Sequence, residues 1–248
     1  MTNSEKDNFA VIIPARYKSS RFPGKPLALI QNKPMIQHVW QKSVEAVGIE
    51  KVYIATDDEN ISSVVRGFGG KVIMTSANCL TGTDRIAEAN EQYKFDFVIN
   101  VQGDEPLIKP EHIRQVIESY KSEGMVTNAM CLISSSNEFF SLNIPKVVFD
   151  NNNKLIYMSR AGIPASKDGL FKRCYKQVCI YAFSKAHLKF FKENPTKTPL
   201  EAIEDIEILR FLESGFHVKM VEVGDGSIAV DIPSDVEKVE AEISKLNE

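Results

Sequence analysis

Five residues near the start of the chain, Phe9 to Ile13, form an apolar run too short for a helix and rich in β-branched side chains, which predicts a buried strand. The run feeds straight into a loop, PARYKSSRFPGKPL at Pro14 to Leu27, with the cations Arg16, Lys18, Arg21 and Lys25. This junction constrains the fold, because an open α/β sheet binds its ligand in the crevice outside the carboxyl ends of its strands. Pro14 and Pro23 restrict the loop backbone, and Gly24 allows close main-chain approach. Arginine forks and lysine point charges together suit a polyphosphate. A solvated basic surface loop is the alternative, since most Lys and Arg are exposed. The Walker string GxxxxGK[ST] is absent, and no GxGxxG follows the first strand.

The cations are a local concentration on a mildly acidic chain. A formal net charge of -3 and a pI near 5.9 argue against a general nucleic-acid or membrane surface. At 248 residues and 43% hydrophobic content the chain suits a single domain over 1–248 that can bury a sizeable core. No apolar run approaches the roughly 18 residues of a membrane span, and the polar opening MTNSEKDN is not an export signal, so a cytosolic protein is expected. Cys79, Cys131, Cys174 and Cys179 form no CxxC pair and the four histidines are scattered, which points to neither zinc nor a disulfide framework. No Ser/His/Asp or Cys/His nucleophile set is legible.

Beyond the loop, strands and helices alternate, as in a parallel sheet covered on both faces. Pro34 to Val47 reads as an amphipathic helix with Pro34 in its first turn, Lys51 to Ala55 as a strand, and Asp57 or Asp58 as the cap of a helix reaching about Phe68. Lys71 to Met74 is the next strand, and Thr81 or Thr83 caps the helix that follows. Phe95 to Val101 is a strong strand ending in QGDEP, where Asp104 stands at a place suited to a nucleotide-bound metal, or else caps a helix. From Met125 the alternation weakens into strands at Val126 to Ile133, Pro145 to Asp150, Lys154 to Met158 and Tyr175 to Phe183. Thr198 to Gly215 reads as one helix, with Glu201, Glu204 and Glu207 on a solvated face and Arg210 paired to Glu207. Strands at His217 to Val223 and Ser227 to Val230 lead to VDIPSD and a terminal helix, with Asp231 either a ligand or a turn residue.

The first loop, TGTDR at Thr81 to Arg85, NVQGDEP at Asn100 to Pro106, YMSR at Tyr157 to Arg160, the PLEAIEDIEILR helix and VDIPSD together closely resemble the CMP-Kdo synthetase (3-deoxy-manno-octulosonate cytidylyltransferase) family of sugar nucleotidyltransferases, over nearly all of Phe9 to Lys245. The resemblance implies an α/β, Rossmann-like nucleotidyltransferase fold with a mixed, mostly parallel central sheet. It also implies an inserted β-rich lobe at about 130–183 that lines the sugar site and pairs two subunits as a homodimer. The implied reaction is transfer of CMP from CTP to an acid sugar, Kdo or a close analogue, with release of pyrophosphate. By the same likeness Arg16, Arg21 and Lys25 take the triphosphate, while Lys18 has no such warrant. Pro14, Ala15, Thr81, Gly82, Thr83 and Gln102 adjoin the nucleotide, and Asp104 and Asp231 hold Mg²⁺. Arg160, whose fork suits a carboxylate, joins Gln177, Tyr181 and one or both of Glu201 and Glu204 at the sugar.

Departures from the family pattern cluster on the sugar side. Gln177 replaces a usual histidine, Ala165 stands where an aromatic is common, and Cys79, Thr81 and Asp205 also differ. Loss of a group that can be cationic, with gain of an amide acceptor and of volume, favours a sugar bearing an ammonium group, 8-amino-Kdo over Kdo. CMP-sialate synthetase is the alternative within the class. A glycosyltransferase would usually carry a DxD motif, which Gln102 to Pro106 lacks, and a non-catalytic nucleotide sensor has no need of both Asp104 and Asp231.

Overall fold

A computed structural model describes residues 8–18 and 22–246; Arg21 lies outside the described residues. The first apolar run becomes β1 (Phe9–Ala15), buried along its whole length. A short hairpin of β2 (Leu29–Ile30) and β3 (Lys33–Pro34), not foreseen from the sequence, precedes α1 (Met35–Val47). Pro34 closes that hairpin and caps α1, one position before the first turn expected for it. The alternation continues through β4 (Val52–Thr56), α2 (Glu59–Gly67) and β5 (Lys71–Met74) to α3 (Gly82–Tyr93), β6 (Phe97–Val101), α4 (Pro110–Glu123) and β7 (Val126–Leu132). Of the candidate caps, Asp58 and Thr81 hold the helix starts, each accepting hydrogen bonds from first-turn amides.

The second half runs α5 (Ser136–Phe140), β8 (Lys146–Phe149), β9 (Leu155–Ser159), β10 (Tyr175–Ser184), α6 (Lys185–Glu193), α7 (Pro199–Glu204), α8 (Ile208–Glu213), β11 (Val218–Glu222) and α9 (Ser234–Leu246). The sheet order is β11-β7-β10-β6-β1-β4-β5. All neighbours are parallel except β10, which runs antiparallel between β6 and β7. Successive β1 residues point into two cores: Val11 and Ile13 pack under α1 and α4, while Ala10 and Ile12 pack with residues of α3, α6 and α8.

Three expectations are corrected. Of the stretch at about 130–183, β10 is a central strand and only the β8–β9 hairpin with its loops hangs off it, because Tyr175 and Lys176 pair with Val147 and Lys146. The helix expected over Thr198 to Gly215 breaks at Asp205, which adopts a left-handed conformation (φ 52°, ψ 50°) between α7 and α8. The stretch Ser227 to Val230 forms no strand; Val230 docks by donating its amide to the Asp104 carbonyl at 2.9 Å.

Candidate active site

A cleft of about 570 Å³ opens at the carboxyl ends of β1 and β6, lined by Pro14, Ala15, Arg16 and Lys25 from the first loop and by Gln102, Gly103 and Asp104 from the loop after β6. Gly103 has a packing reason: a Cβ there would lie 3.0 Å from the Pro14 carbonyl oxygen and 3.1 Å from Ile36, so glycine lets the two loops close on one another. The Lys25 ammonium reaches across, 2.8 Å from Asp104 Oδ2, 2.9 Å from the Val230 carbonyl and 3.9 Å from Asp231 Oδ1. Two carboxylates that were 127 residues apart in sequence thus face one cation.

The pair suits a hard divalent cation. Both donors are carboxylate oxygens, and they already share one cationic partner. Among the described residues no third His, Cys, Asp or Glu joins them in a metal-binding group. Magnesium is commonly held by one or two carboxylates, with phosphate and water filling the rest of its shell. Glu105, next to Asp104, turns away from the cleft. It accepts from the Cys179 amide at 3.0 Å and from the Ser227 hydroxyl, which ties the QGDEP loop to β10. Burial pushes its carboxyl above the ordinary range, against those two hydrogen bonds.

The Thr81–Gly82–Thr83 turn forms a second wall. Thr81 and Asp84 close a reciprocal capping box at the start of α3. The next two amides are taken by Glu207, which accepts from Gly82 N at 3.0 Å, Thr83 N at 2.9 Å and Thr83 Oγ1 at 2.5 Å. This helix end is therefore a fixed surface, with its amides committed to protein groups. Burial raises the Glu207 carboxyl despite those bonds. A Cβ on Gly82 would meet Gln102 Nε2 at 2.8 Å, so the turn and Gln102 are in contact. Arg85 also reaches the cleft from a buried position, held 3.1 Å from Asp57 and 2.5 Å from Thr75 Oγ1. Cys79 lines the same wall, its thiol pushed up to about 12 by burial and by its bond to Glu88.

On the third side Arg160 lines the cleft with Leu142, Asn143, Lys197 and Asp205. Its guanidinium donates to the carbonyls of Glu204 (2.5 Å), Leu142 (3.1 Å) and Asp205 (3.0 Å). Glu204 acts through its neighbours, accepting from Ser159 Oγ at 2.6 Å and from the Arg160 amide at 2.8 Å. Glu201 is fully buried and bidentate to Arg210 at 2.7 Å, so it is excluded from the cleft, and Arg210 pairs with it instead of Glu207. Gln177 donates to Asn128 Oδ1 at 3.0 Å, and Asn128 in turn donates to the carbonyls of Val178 and Ile180 across the irregularity in β10. Tyr181 is buried in the core, where burial holds its phenol well above the ordinary value. Neither Gln177, Tyr181 nor Ala165 lines the cleft, so the structure does not support the expectation of an ammonium-bearing sugar built on Gln177 and Ala165.

The cleft therefore gathers Pro14, Ala15, Arg16, Lys25, Thr81, Gly82, Gln102, Asp104, Arg160 and Asp231, with Thr83 just behind. Sequence reasoning missed Glu207 and Arg85. Arg85 was within reach as the last residue of TGTDR; Glu207 carried no signal beyond its place among other acids.

Cations and paired carboxylates at the carboxyl ends of a mostly parallel sheet define an α/β nucleotide-binding protein of the nucleotidyltransferase class. The chain belongs to the cytidylyltransferase family, whose profile matches residues 10–222. It is 42% identical over 248 residues to the 3-deoxy-manno-octulosonate cytidylyltransferase of Geobacter metallireducens, covering 95% of this chain and 97% of that one. It is also 42% identical to the 8-amino-3,8-dideoxy-manno-octulosonate cytidylyltransferase of Shewanella baltica, covering 96% and 99%. A solved CMP:2-keto-3-deoxy-manno-octonic acid synthetase complexed with CTP superposes with a TM-score of 0.89 at 35% identity, covering 96% of this chain and 99% of that one. A cytidylyltransferase from Leptospira borgpetersenii, 17% identical with a TM-score of 0.63 over 96% of this chain and 87% of its own, shares the fold.

Proposed function

We propose that this protein transfers CMP from CTP to an eight-carbon acid sugar, Kdo or its 8-amino analogue, releasing pyrophosphate and supplying lipopolysaccharide biosynthesis from the cytosol. The observation that carries the reading is the convergence of Lys25 on Asp104 and Asp231 in the cleft that Arg160 also lines. Arg16 and Lys25, with Arg21 from the same loop, draw the charge of the departing pyrophosphate. The Thr81–Gly82 turn and Gln102 confine the base and ribose, and Arg160 orients the sugar by its carboxylate. Asp104 and Asp231 would hold Mg²⁺, which would supply charge neutralisation at the phosphates. The sugar hydroxyl gives up its proton to the surrounding water and forms its bond to the α-phosphorus as the bond to pyrophosphate breaks, so the protein works by positioning and fixed charge and needs no covalent intermediate.

The working unit in this reading is a homodimer, joined through the hairpin side of the cleft. The test is pyrophosphate release from CTP over a panel of Kdo, 8-amino-Kdo and sialic acid. Release with either octulosonate is expected, and side-by-side kcat/KM assigns the sugar. Release with sialic acid alone, or with none of the three, overturns the proposal.

A further inference from the structure

Lys146 is a fully buried lysine in an enzyme whose chemistry, as read above, makes no use of it. Its ammonium donates to the carbonyls of Ser141 at 2.6 Å, Ile144 at 2.7 Å and Arg160 at 2.6 Å. An ammonium has three donors, and here three carbonyls take them. Burial lowers its pKa, as expected for a charge removed from water and held by dipoles. Burying a charge is costly even when its donors are all taken, so the charge needs a reason.

The reason lies in what the three carbonyls belong to. Ser141 and Ile144 bracket Leu142 and Asn143, both of which line the cleft, and Leu142 also accepts from the Arg160 guanidinium. The third carbonyl is that of Arg160 itself. Lys146 thus grips both ends of the cleft-lining turn and the backbone of the cleft arginine. Arg160 completes the frame with its side chain, whose Nε, Nη1 and Nη2 each donate to a carbonyl; a guanidinium has five N–H donors, and its charge adds to the hydrogen bonds that hold the Glu204 and Asp205 carboxylates below their ordinary range.

We propose that Lys146 is a positioning residue for the acid sugar: it fixes the Ser141–Ile144 turn and the Arg160 backbone so that the guanidinium is preorganised for the sugar carboxylate. The proposal rests on the reading of Arg160 given above. K146M keeps an unbranched side chain one atom shorter and removes its donors. It is expected to raise the sugar KM roughly tenfold to a hundredfold, the scale of a slightly misplaced contact, with the CTP KM within about twofold of wild type. In an R160M background the same change should add almost nothing, because its effect passes through Arg160. Amide hydrogen exchange at residues 141–144 should quicken by at least about tenfold in K146M.

Equal rises in both KM values, full multiplication of the effect in R160M, or unchanged exchange at 141–144 overturns the clamp. If R160M alone leaves the sugar KM unchanged, the carboxylate reading of Arg160 fails and the role of Lys146 in sugar binding fails with it, whereas the exchange measurement still decides whether the turn is clamped. Should K146M fail to fold, K146Q retains two donors without the charge, and wild-type sugar KM and exchange in that variant would overturn the need for the ammonium.

Discussion

Lys25 meets both acids of the cleft, so the two carboxylates and the ammonium set one another's charge environment, and a substitution at either acid alters what the site offers a phosphate. Asp104→Asn and Asp231→Asn each keep the shape and remove one negative charge. Each is expected to lower kcat by about a hundredfold or more with circular dichroism unchanged, the scale on which loss of one electrostatic partner is felt at developing charge. Near-normal turnover in both would remove the metal assignment. Glu105, one residue on, has the opposite character. Burial raises its carboxyl above the ordinary value of 4.5, so the fold favours the neutral acid. That contribution is fully present below the ordinary glutamate range and is lost as pH rises through the folded value. Glu105→Gln mimics the neutral form, so its melting temperature should gain on wild type as pH rises above the ordinary glutamate range; a difference that does not move with pH would count against it. Asp104 and Asp231 were legible because each sits in a short string whose chemistry is local. Glu201, Glu204 and Glu207 were not, since equal spacing gave three acids one description and the fold gave each a different partner.

The break between α7 and α8 is where local pattern and tertiary structure part. Read alone, Thr198 to Gly215 has a proline in its first turn, helical apolar spacing and a terminal glycine, all of which favour one continuous helix. The left-handed turn at Asp205 is held from outside: Arg160 takes its carbonyl, Lys197 its carboxylate at 2.5 Å, and Glu207 swings round to the start of α3. These partners lie between 8 and 125 residues away, and most are out of reach of a sequence window. The same break turns Glu201 inward onto Arg210, whose guanidinium also stacks 3.7 Å from the Phe191 ring centre and bonds the Asn194 carbonyl at 3.0 Å. Removing one member of a buried pair costs about 3–5 kcal/mol, and Arg210 would be left facing the more distant Asp84 carboxylate at 3.4 Å. Glu201→Ala should therefore lower unfolding free energy in urea by that amount while the folded fraction keeps its sugar KM. A normal stability with a raised sugar KM would return Glu201 to the substrate.

Across the whole molecule the alternation of β1, β4, β5, β6 and β7 with helices followed from periodicity, because α1, α2, α3 and α4 each join one of these strands to the next, whereas the β2–β3 hairpin did not. The place of β10 did not, since a strand inserted antiparallel between β6 and β7 leaves no mark on its own sequence. That insertion leaves the β8–β9 hairpin branching from β10, and large apolar side chains stand exposed before, within and after the hairpin and on α7: Phe140, Leu142, Ile156, Leu170 and Ile203, the last 79% exposed. They come from α5, the turn gripped by Lys146, β9, the loop after it and α7; that turn, that loop and α7 also supply Leu142, Arg160 and the Glu204 carbonyl of the Arg160 wall. Single exposed apolar residues are ordinary, but several on adjoining segments are the mark of an interface. A second copy of the chain could cover them, and a stable dimer needs about 800 Å² from each partner. Light scattering after gel filtration at micromolar concentration should give twice the 27.8 kDa chain mass. Ile156→Asp combined with Ile203→Asp places two charges in the proposed seam and should give a folded monomer with a higher sugar KM, since the Arg160 wall would lose its backing. A wild-type chain that runs at 27.8 kDa under these conditions, or a double variant that remains dimeric, would show that this face serves something other than pairing.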